Sequence, residues 1–252
     1  MLSLIAEIDR LRESDKSTAV KQLITESTPD FDFFFLIVLS ILMATFGMLV
    51  DSASIVIGSM LIAPILSPIL SISLGLVMAD GKLFYRSLYT VAKASLIGII
   101  AAAVATFLFQ GAAGGGLTAE ILSRTEPSLL YFMVAVVAGF AVSYTLVKPD
   151  LSATLPGIAV AVALIPPLSV VGIGVAKLSS TVVVGSFLLY LLNVGGIVLA
   201  SVVSFSLMNL YGKRKVAQTV IKKEEKRLET EQKEAAALKE KNVGAQVKDT
   251  NT

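Results

Sequence analysis

The sequence predicts an all-α polytopic membrane protein in which six transmembrane helices form two inverted three-helix repeats. Hydrophobic residues make up 55% of the 252 residues, and the mean hydropathy of +0.80 is too high for an ordinary soluble domain. Only eleven of the 40 charged residues lie between Phe33 and Leu210. Within that region, apolar stretches long enough to cross a bilayer alternate with polar breaks.

Six spans are predicted, because roughly 20 helical residues cross a lipid core about 30 Å thick. They lie near residues 33–50, 52–79, 87–109, 128–147, 151–176 and 180–210. The one long break runs from Gln110 to Pro127 and contains a glycine cluster that disfavours helix. The transmembrane domain is therefore expected at 33–210, with repeats at about 33–109 and 128–210.

Polar segments flank this domain. Residues 1–32 form an amphipathic N-terminal segment, and residues 211–252 form a charged tail rich in helix-forming residues. Lys and Arg in the short loops favour both ends in the cytoplasm. In the tail, Ile221, Leu228 and Ala235 recur at seven-residue spacing, which fits either a solvated helix or a helix that pairs between subunits.

The second and fifth spans carry prolines at matching places, Pro64 and Pro68 in one and Pro166 and Pro167 in the other. A proline inside a helix lacks an N–H group and clashes with the carbonyl four residues back. We therefore expect broken helices whose freed carbonyls must face protein, water or a bound ion, since lipid cannot satisfy them. The alternative is a pair of kinked helices that pack through small residues and bind nothing.

These breaks predict a substrate- or ion-binding site near the middle of the membrane, as in transporters built from interrupted helices. Nearby hydroxyl and amide groups would add polar ligands. The predicted lining residues are Ser59, Pro64, Ser67, Pro68, Pro166, Pro167, Ser169 and Asn193. Freed carbonyls favour cations and the N-termini of half-helices favour anions, so the charge preference stays open.

An internal repeat links the two broken spans. A shift of 99 residues aligns three pairs as structural equivalents, Asp51 with Asp150, Gly58 with Gly157 and Gly75 with Gly174, and it also aligns Pro68 with Pro167. Each repeat holds an odd number of spans, so the two copies are expected to be inverted. This topology places Asp51 and Asp150 on opposite sides of the membrane, which excludes a pair of carboxylates sharing a proton.

The leading function is a membrane transporter or channel for a small solute or ion. The alternative is a non-transporting scaffold or sensor subunit that acts through its cytoplasmic tail and helix-packing faces. The chain has neither Cys nor His and no phosphate-loop or dinucleotide motif, so we expect no metal site, no cofactor and no enzyme. The expected partners are the lipid bilayer, a small solute or ion and, as an open option, further copies in a homo-oligomer, but no nucleic acid.

Several separated motifs occur in an order that resembles a known family. They are the segments 51–70, 124–127, 135–139, 157–174 and 192–193. The chain resembles, over about residues 33–205, the prokaryotic integral membrane family catalogued as domain of unknown function 389. The resemblance implies a prokaryotic cell membrane and supplies no substrate.

Overall fold

The computed structural model describes residues 12–109, 111, 116–148, 150–151 and 164–249, and every regular element in those ranges is helical. In chain order the α-helices are α1 (Glu13–Glu26), α2 (Phe31–Leu49), α3 (Ala53–Met60), α4 (Leu66–Val77), α5 (Gly81–Phe109), α6 (Ala119–Leu122), α7 (Leu129–Val147), α8 (Ile165–Ala176), α9 (Ser180–Leu207) and α10 (Arg214–Asp249). A 3₁₀ turn, Leu210–Lys213, joins the last two helices.

Four helices, α2, α5, α7 and α9, are long and apolar enough to cross a membrane, which confirms the predicted all-α membrane character. Helices α4 and α8 are also apolar, but each has only 12 residues and is about 18 Å long. That is shorter than a lipid core of about 30 Å. The stretch predicted as one span at 52–79 is divided into α3 and α4 by residues 61–65. Most of the N-terminal half of the predicted span 151–176 lies outside the described residues.

Three helix pairs, α2–α3, α4–α5 and α8–α9, are joined by the same tight connection. In each, one residue has a positive φ: Asp51 (55°), Ala79 (48°) and Leu178 (54°). The next residue donates its N–H to a glycine carbonyl at 2.9 Å: Ser52 to Gly47, Asp80 to Gly75 and Ser179 to Gly174. This is the Schellman arrangement, which closes a helix with a left-handed residue and satisfies its last carbonyls.

The glycines in these connections let the second helix pass directly over the first. A Cβ atom on Gly75 would lie 2.7 Å from the backbone N of Phe84, and one on Gly174 would lie 3.0 Å from the backbone N of Val183. Both distances are too short for a side chain to fit without movement of the backbone. These two glycines, predicted as structural equivalents, therefore each allow the following helix to approach closely.

The short helices α4 and α8 point to opposite ends of the bundle. The tail end is the end at which α10 begins, and the α6 end is the other. Helix α4 ends at the tail end, where Gln218 of α10 donates to the Asp80 carboxylate at 3.0 Å. Helix α8 runs toward the α6 end, where Ile173 packs in one buried cluster with Met48 and Ile121.

The core of the bundle forms where the short helices cross the long ones. Helix α4 packs against α5 and α9, and α8 packs against α9 and α5. Helix α2 lies along α5, and α7 lies along α9. The polar flanks are docked on this bundle, because α1 contacts α4 and α7, and α10 contacts α1. Ile221 of α10 is buried in the main core, whereas Leu228 is only half-buried.

Candidate functional site at the interrupted helix

The interruption between α3 and α4 begins about halfway along a spanning helix. The hydroxyl of Ser40 donates to the carbonyl of Ser59 at 2.6 Å, and Ser59 itself donates to the Val56 carbonyl at 2.6 Å. Ser40 is the tenth of the 19 residues of α2. Helix α3 therefore ends one residue after the level of the middle of α2, and the chain continues as residues 61–65 before α4 begins.

Three of the four prolines lie in the first turns of helices and the fourth lies in a connection, which differs from the expectation that they interrupt helices from inside. Pro64 lies in the connection before α4, and Pro68 lies in the first turn of α4. Pro166 and Pro167 lie in the first turn of α8. First-turn N–H groups have no acceptor within a helix, so proline is tolerated there without loss of a hydrogen bond. Among the described residues, the one carbonyl that a proline is still expected to free is therefore that of Met60, four residues before Pro64.

The three predicted serines have different environments, and Ser59 donates within its own helix to the Val56 carbonyl. The hydroxyl of Ser67, in the first turn of α4, donates to the Glu26 carboxylate at 2.8 Å. Ser169 is fully buried in α8 and donates to the carbonyl of Ile165 at 3.1 Å, one turn back in the same helix. Only Ser67 therefore presents its hydroxyl to another element.

A pocket of about 380 Å³ lies beside the interruption, between α1, α4 and α7. Its polar lining comes from Gln22, Glu26 and Ser67. The rest of the described lining is apolar and consists of Met60, Leu61, Ala63, Leu66, Leu70, Val142 and Leu146. The pocket thus combines one carboxylate, one amide and one hydroxyl with apolar side chains, as small-molecule sites commonly do.

Seven of the eight predicted lining residues fall into two groups. Ser59, Pro64, Ser67 and Pro68 lie along the interruption or in the turn after it, and Ser67 lines the pocket. Pro166, Pro167 and Ser169 are buried on α8, which packs against α2, α5 and α9. Of the lining residues that the structure describes, none belongs to α8.

Asn193 is buried in the middle of α9, about one turn after Tyr190. The hydroxyl of Tyr190 lies 2.8 Å from that of Ser95, which forms a hydrogen bond between α9 and α5. Two further hydroxyls on α9, those of Ser186 and Ser201, are buried with no hydrogen-bond partner among the described residues. Helix α9 therefore carries several polar groups on its buried side.

The repeat-equivalent acids lie at opposite ends. Asp51 lies at the α6 end and accepts the N–H of Glu120 at 2.9 Å. Asp150 is exposed just after α7. Helix α7 runs parallel to α9 toward the tail end, because Gly196 faces Ala135 and Gly139 faces Ala200. The two carboxylates therefore do not meet.

The equivalent glycines Gly58 and Gly157 can be placed only in part. A Cβ on Gly58 would lie 3.0 Å from the Met43 side chain, so this glycine lets α3 approach α2. Gly157 lies outside the described residues.

Sequence reasoning missed Glu26 and Gln22, because both precede the first apolar span. The available signal was the amphipathic pattern of α1, in which Val20, Leu23 and Ile24 form one face. These three residues are buried against the bundle. Since Gln22 and Glu26 are on the other side of the same helix and remain exposed, α1 can supply polar groups to the pocket.

The fold and the family comparison together define a helical membrane protein. The chain belongs to the family described as Domain of unknown function (DUF389), whose sequence model matches residues 60–199. This confirms the resemblance drawn from the separated motifs.

The chain is also similar to an uncharacterised protein of Methanocaldococcus jannaschii, with 30% identity over 171 residues. The match covers 68% of this chain and 52% of the relative, so the chain spans about half of that protein's length. No solved structure matches the chain. Neither the family description nor the name of the relative states a substrate.

Proposed function

We propose that the protein is a membrane transporter or channel for a small solute or ion, with its site at the interruption between α3 and α4. The observation that carries the proposal is the helix end at Met60, level with the middle of α2 and beside a pocket with polar lining. Non-helical backbone at membrane depth is tolerated only where it faces protein or a water-filled cavity. Transporters use such interrupted helices to bind their substrates.

Two inverted repeats of three spans are part of the same proposal. Helices α4 and α8 begin and end 99 residues apart, and so do the connections that follow them. The two helices point in opposite directions, and each packs against the long helix of the other half. These features support inversion, because exchanging the two halves leaves this set of contacts unchanged. With α3–α4 counted as one span and 151–176 as its counterpart, the four long helices complete six spans.

We place the tail end in the cytoplasm. Several cationic residues lie at this end, among them Lys82, Arg86, Lys213 and Arg214, whereas the α6 end has Arg124 and Lys177. Cytoplasmic segments of membrane proteins carry an excess of Lys and Arg. In this orientation Glu26 and the pocket lie on the cytoplasmic side of the interruption.

The test uses the absence of native cysteine. Single cysteines at Ala63 and Leu66 would line the pocket, whereas one at Val137, which is 65% exposed in the middle of α7, would face lipid. We expect a water-soluble thiol reagent to label the first two and not the third. Protection of both pocket positions would count against an aqueous pathway.

A measurement of solute flux is the second part of the test. The purified protein in liposomes is offered a panel of inorganic ions and of cationic, anionic and neutral organic solutes. At least one class is expected to cross, and Ser67→Phe is expected to reduce that flux by filling the pocket. If no class crosses and both pocket cysteines are protected, the protein is a scaffold or sensor subunit and the transporter proposal is wrong.

A further inference from the structure

We propose that the pocket binds a small organic cation, with an ammonium or guanidinium group attached to an apolar body, and that Glu26 binds the positive charge. The inference rests on the proposed function and adds the substrate class to it. Three observations support it: the hydrogen-bond partners of Glu26, the lack of a helix-capping role for Glu26, and the composition of the pocket wall.

Among the described residues, Glu26 is a carboxylate with neutral partners only. Its two oxygens accept hydrogen bonds from the Ser67 hydroxyl and the Gln22 amide, each at 2.8 Å. No Lys or Arg in the described part of the chain forms an ion pair with it. Three other acids at the tail end are paired: Glu13 with Lys213 at 2.7 Å, Asp30 with Arg227 at 2.9 Å and Glu225 with Lys82 at 2.8 Å. A cationic ligand would give Glu26 the partner that these acids already have.

Helix capping does not account for the position of Glu26. Asp30 and Asp80 each accept a backbone N–H at the start of a helix, at 2.9 and 3.1 Å. Helix α4, by contrast, has no side-chain cap, and Glu26 accepts the hydroxyl of Ser67 rather than a backbone N–H of α4. The carboxylate is also exposed, so a ligand can reach it without unfolding α1.

The wall of the pocket selects an organic cation over a metal ion. A metal such as Ca²⁺ takes six or more oxygen ligands, whereas this pocket has one carboxylate. Among the described residues there is no group of three or more His, Cys, Asp or Glu that could hold a metal. Met60, Leu66 and Val142 instead offer apolar surface to a hydrocarbon body. A charge-assisted hydrogen bond from an ammonium group to Glu26 would then fix its orientation.

The direct test is calorimetric binding to the purified full-length protein, with benzylammonium as the probe. Benzyl alcohol and benzoate are the neutral and anionic analogues of similar shape. We expect benzylammonium to bind more tightly than either analogue. Glu26→Gln is expected to weaken its binding about 10-fold or more, since a charge-assisted bond is lost. Glu26→Asp, which keeps the charge, is expected to retain part of the affinity.

The matched control is Asp32→Asn, which removes one exposed carboxylate near the same end and lines none of the pocket. It is expected to leave benzylammonium binding unchanged. The inference is overturned if Glu26→Gln lowers the unfolding temperature without changing binding, because Glu26 is then only structural. It is also overturned if Na⁺ or K⁺ binds in a Glu26-dependent way and benzylammonium does not.

Flux separates this inference from the proposed function. If benzylammonium binds through Glu26 but no solute crosses the membrane, the site stands and the transporter proposal fails. If a solute of another class crosses and Glu26→Gln leaves that flux unchanged, the transporter proposal stands and the cation site fails.

Discussion

The short helices α4 and α8 are each followed by the same type of connection, but they cross the long helices in different ways. Where α8 crosses α5, a Cβ on Gly172 would lie 2.4 Å from the Cβ of Ala102 and 2.6 Å from the carbonyl oxygen of Ile99. At the corresponding crossing of α4 with α9, Ser73 occupies the place of Gly172. Its hydroxyl is buried and donates to the carbonyl of Val198 at 3.3 Å.

The difference indicates which of the two short helices is less constrained by packing. At the α8–α5 crossing the two backbones are in contact, and a closely packed contact of this kind resists sliding. At the α4–α9 crossing a side chain separates the backbones. Helix α4 is held at its end instead, where Asp80 contacts Gln218 and Arg214 of α10. If the protein transports, we expect α4, which lies beside the pocket, to move and α8 to stay fixed.

The largest effect is expected from Gly172→Ala. The added methyl group would overlap Ala102 and the Ile99 carbonyl, and overpacking of this kind costs about 1–3 kcal/mol. Thermal unfolding in detergent should show a clear fall in midpoint. The control is Gly195→Ala on α9, where nothing lies within 4 Å of the new Cβ and helix propensity improves.

A second substitution sharpens this prediction. Ala102→Gly removes the nearest atom and should restore part of the stability of Gly172→Ala, although the Ile99 carbonyl remains close. Equal stability for Gly172→Ala and Gly195→Ala would mean that the α8–α5 crossing is not close-packed. The α8–α5 and α4–α9 crossings would then not differ in the way described.

The next largest effect is expected where the two connections differ. Asp80 is buried and accepts the N–H of Leu83 at 3.1 Å, whereas Ser179, 99 residues later, forms no side-chain cap bond. Asp80→Ala should therefore destabilise the protein by about 1–2 kcal/mol, since it removes a cap and leaves a buried donor unpaired. Ser179→Ala should cost only a few tenths of a kcal/mol. Similar losses from the two substitutions would show that α10 does not hold α4.

The sequence predicted the helical membrane class and the family, because both depend on patterns that extend over many residues. Long apolar stretches specify α2, α5, α7 and α9 without reference to any partner. The prolines were expected to interrupt helices from inside, whereas Pro68, Pro166 and Pro167 lie in the first turns of helices. Proline is compatible with either position, and the local sequence does not distinguish the two.

The pocket could not be predicted, because it is formed by elements distant in sequence. Glu26 on α1 meets Ser67 on α4 and lies near Val142 on α7 only after the bundle has assembled. The connection motif was within reach, since a glycine five residues before Ser or Asp recurs at Gly47, Gly75 and Gly174. Such a short pattern gains meaning only when its repetition is recognised.

The pH dependence of stability should differ between the two connections. Burial by itself raises the pKa of Asp80, but the Leu83 N–H, the Gln218 amide and the Arg214 charge outweigh it, and the pKa is lowered. A lowered pKa stabilises the fold above the unfolded value of about 3.9, and this contribution is lost as the pH falls through the folded pKa.

The measurement compares Asp80→Asn with the unchanged protein by thermal unfolding between pH 7 and about pH 3. The gap in midpoint should be largest at neutral pH and shrink in acid. Ser179→Ala should show a small gap that does not change with pH, since serine does not titrate in this range. A constant gap for Asp80→Asn would mean that the carboxylate charge contributes nothing at this connection.

The smallest effect is expected from Ser73→Ala. The hydroxyl donates to Val198 at 3.3 Å, which is long for a hydrogen bond, and the Val198 carbonyl keeps its bond within α9. The loss should therefore stay below about 0.5 kcal/mol in thermal unfolding, because no unpaired group is left behind. If Ser73→Ala costs as much as Gly172→Ala, both crossings are equally constrained and α4 has no more freedom than α8. A small cost would show that packing constrains α4 less than α8. The contacts of Asp80 with α10 would then set the position of α4.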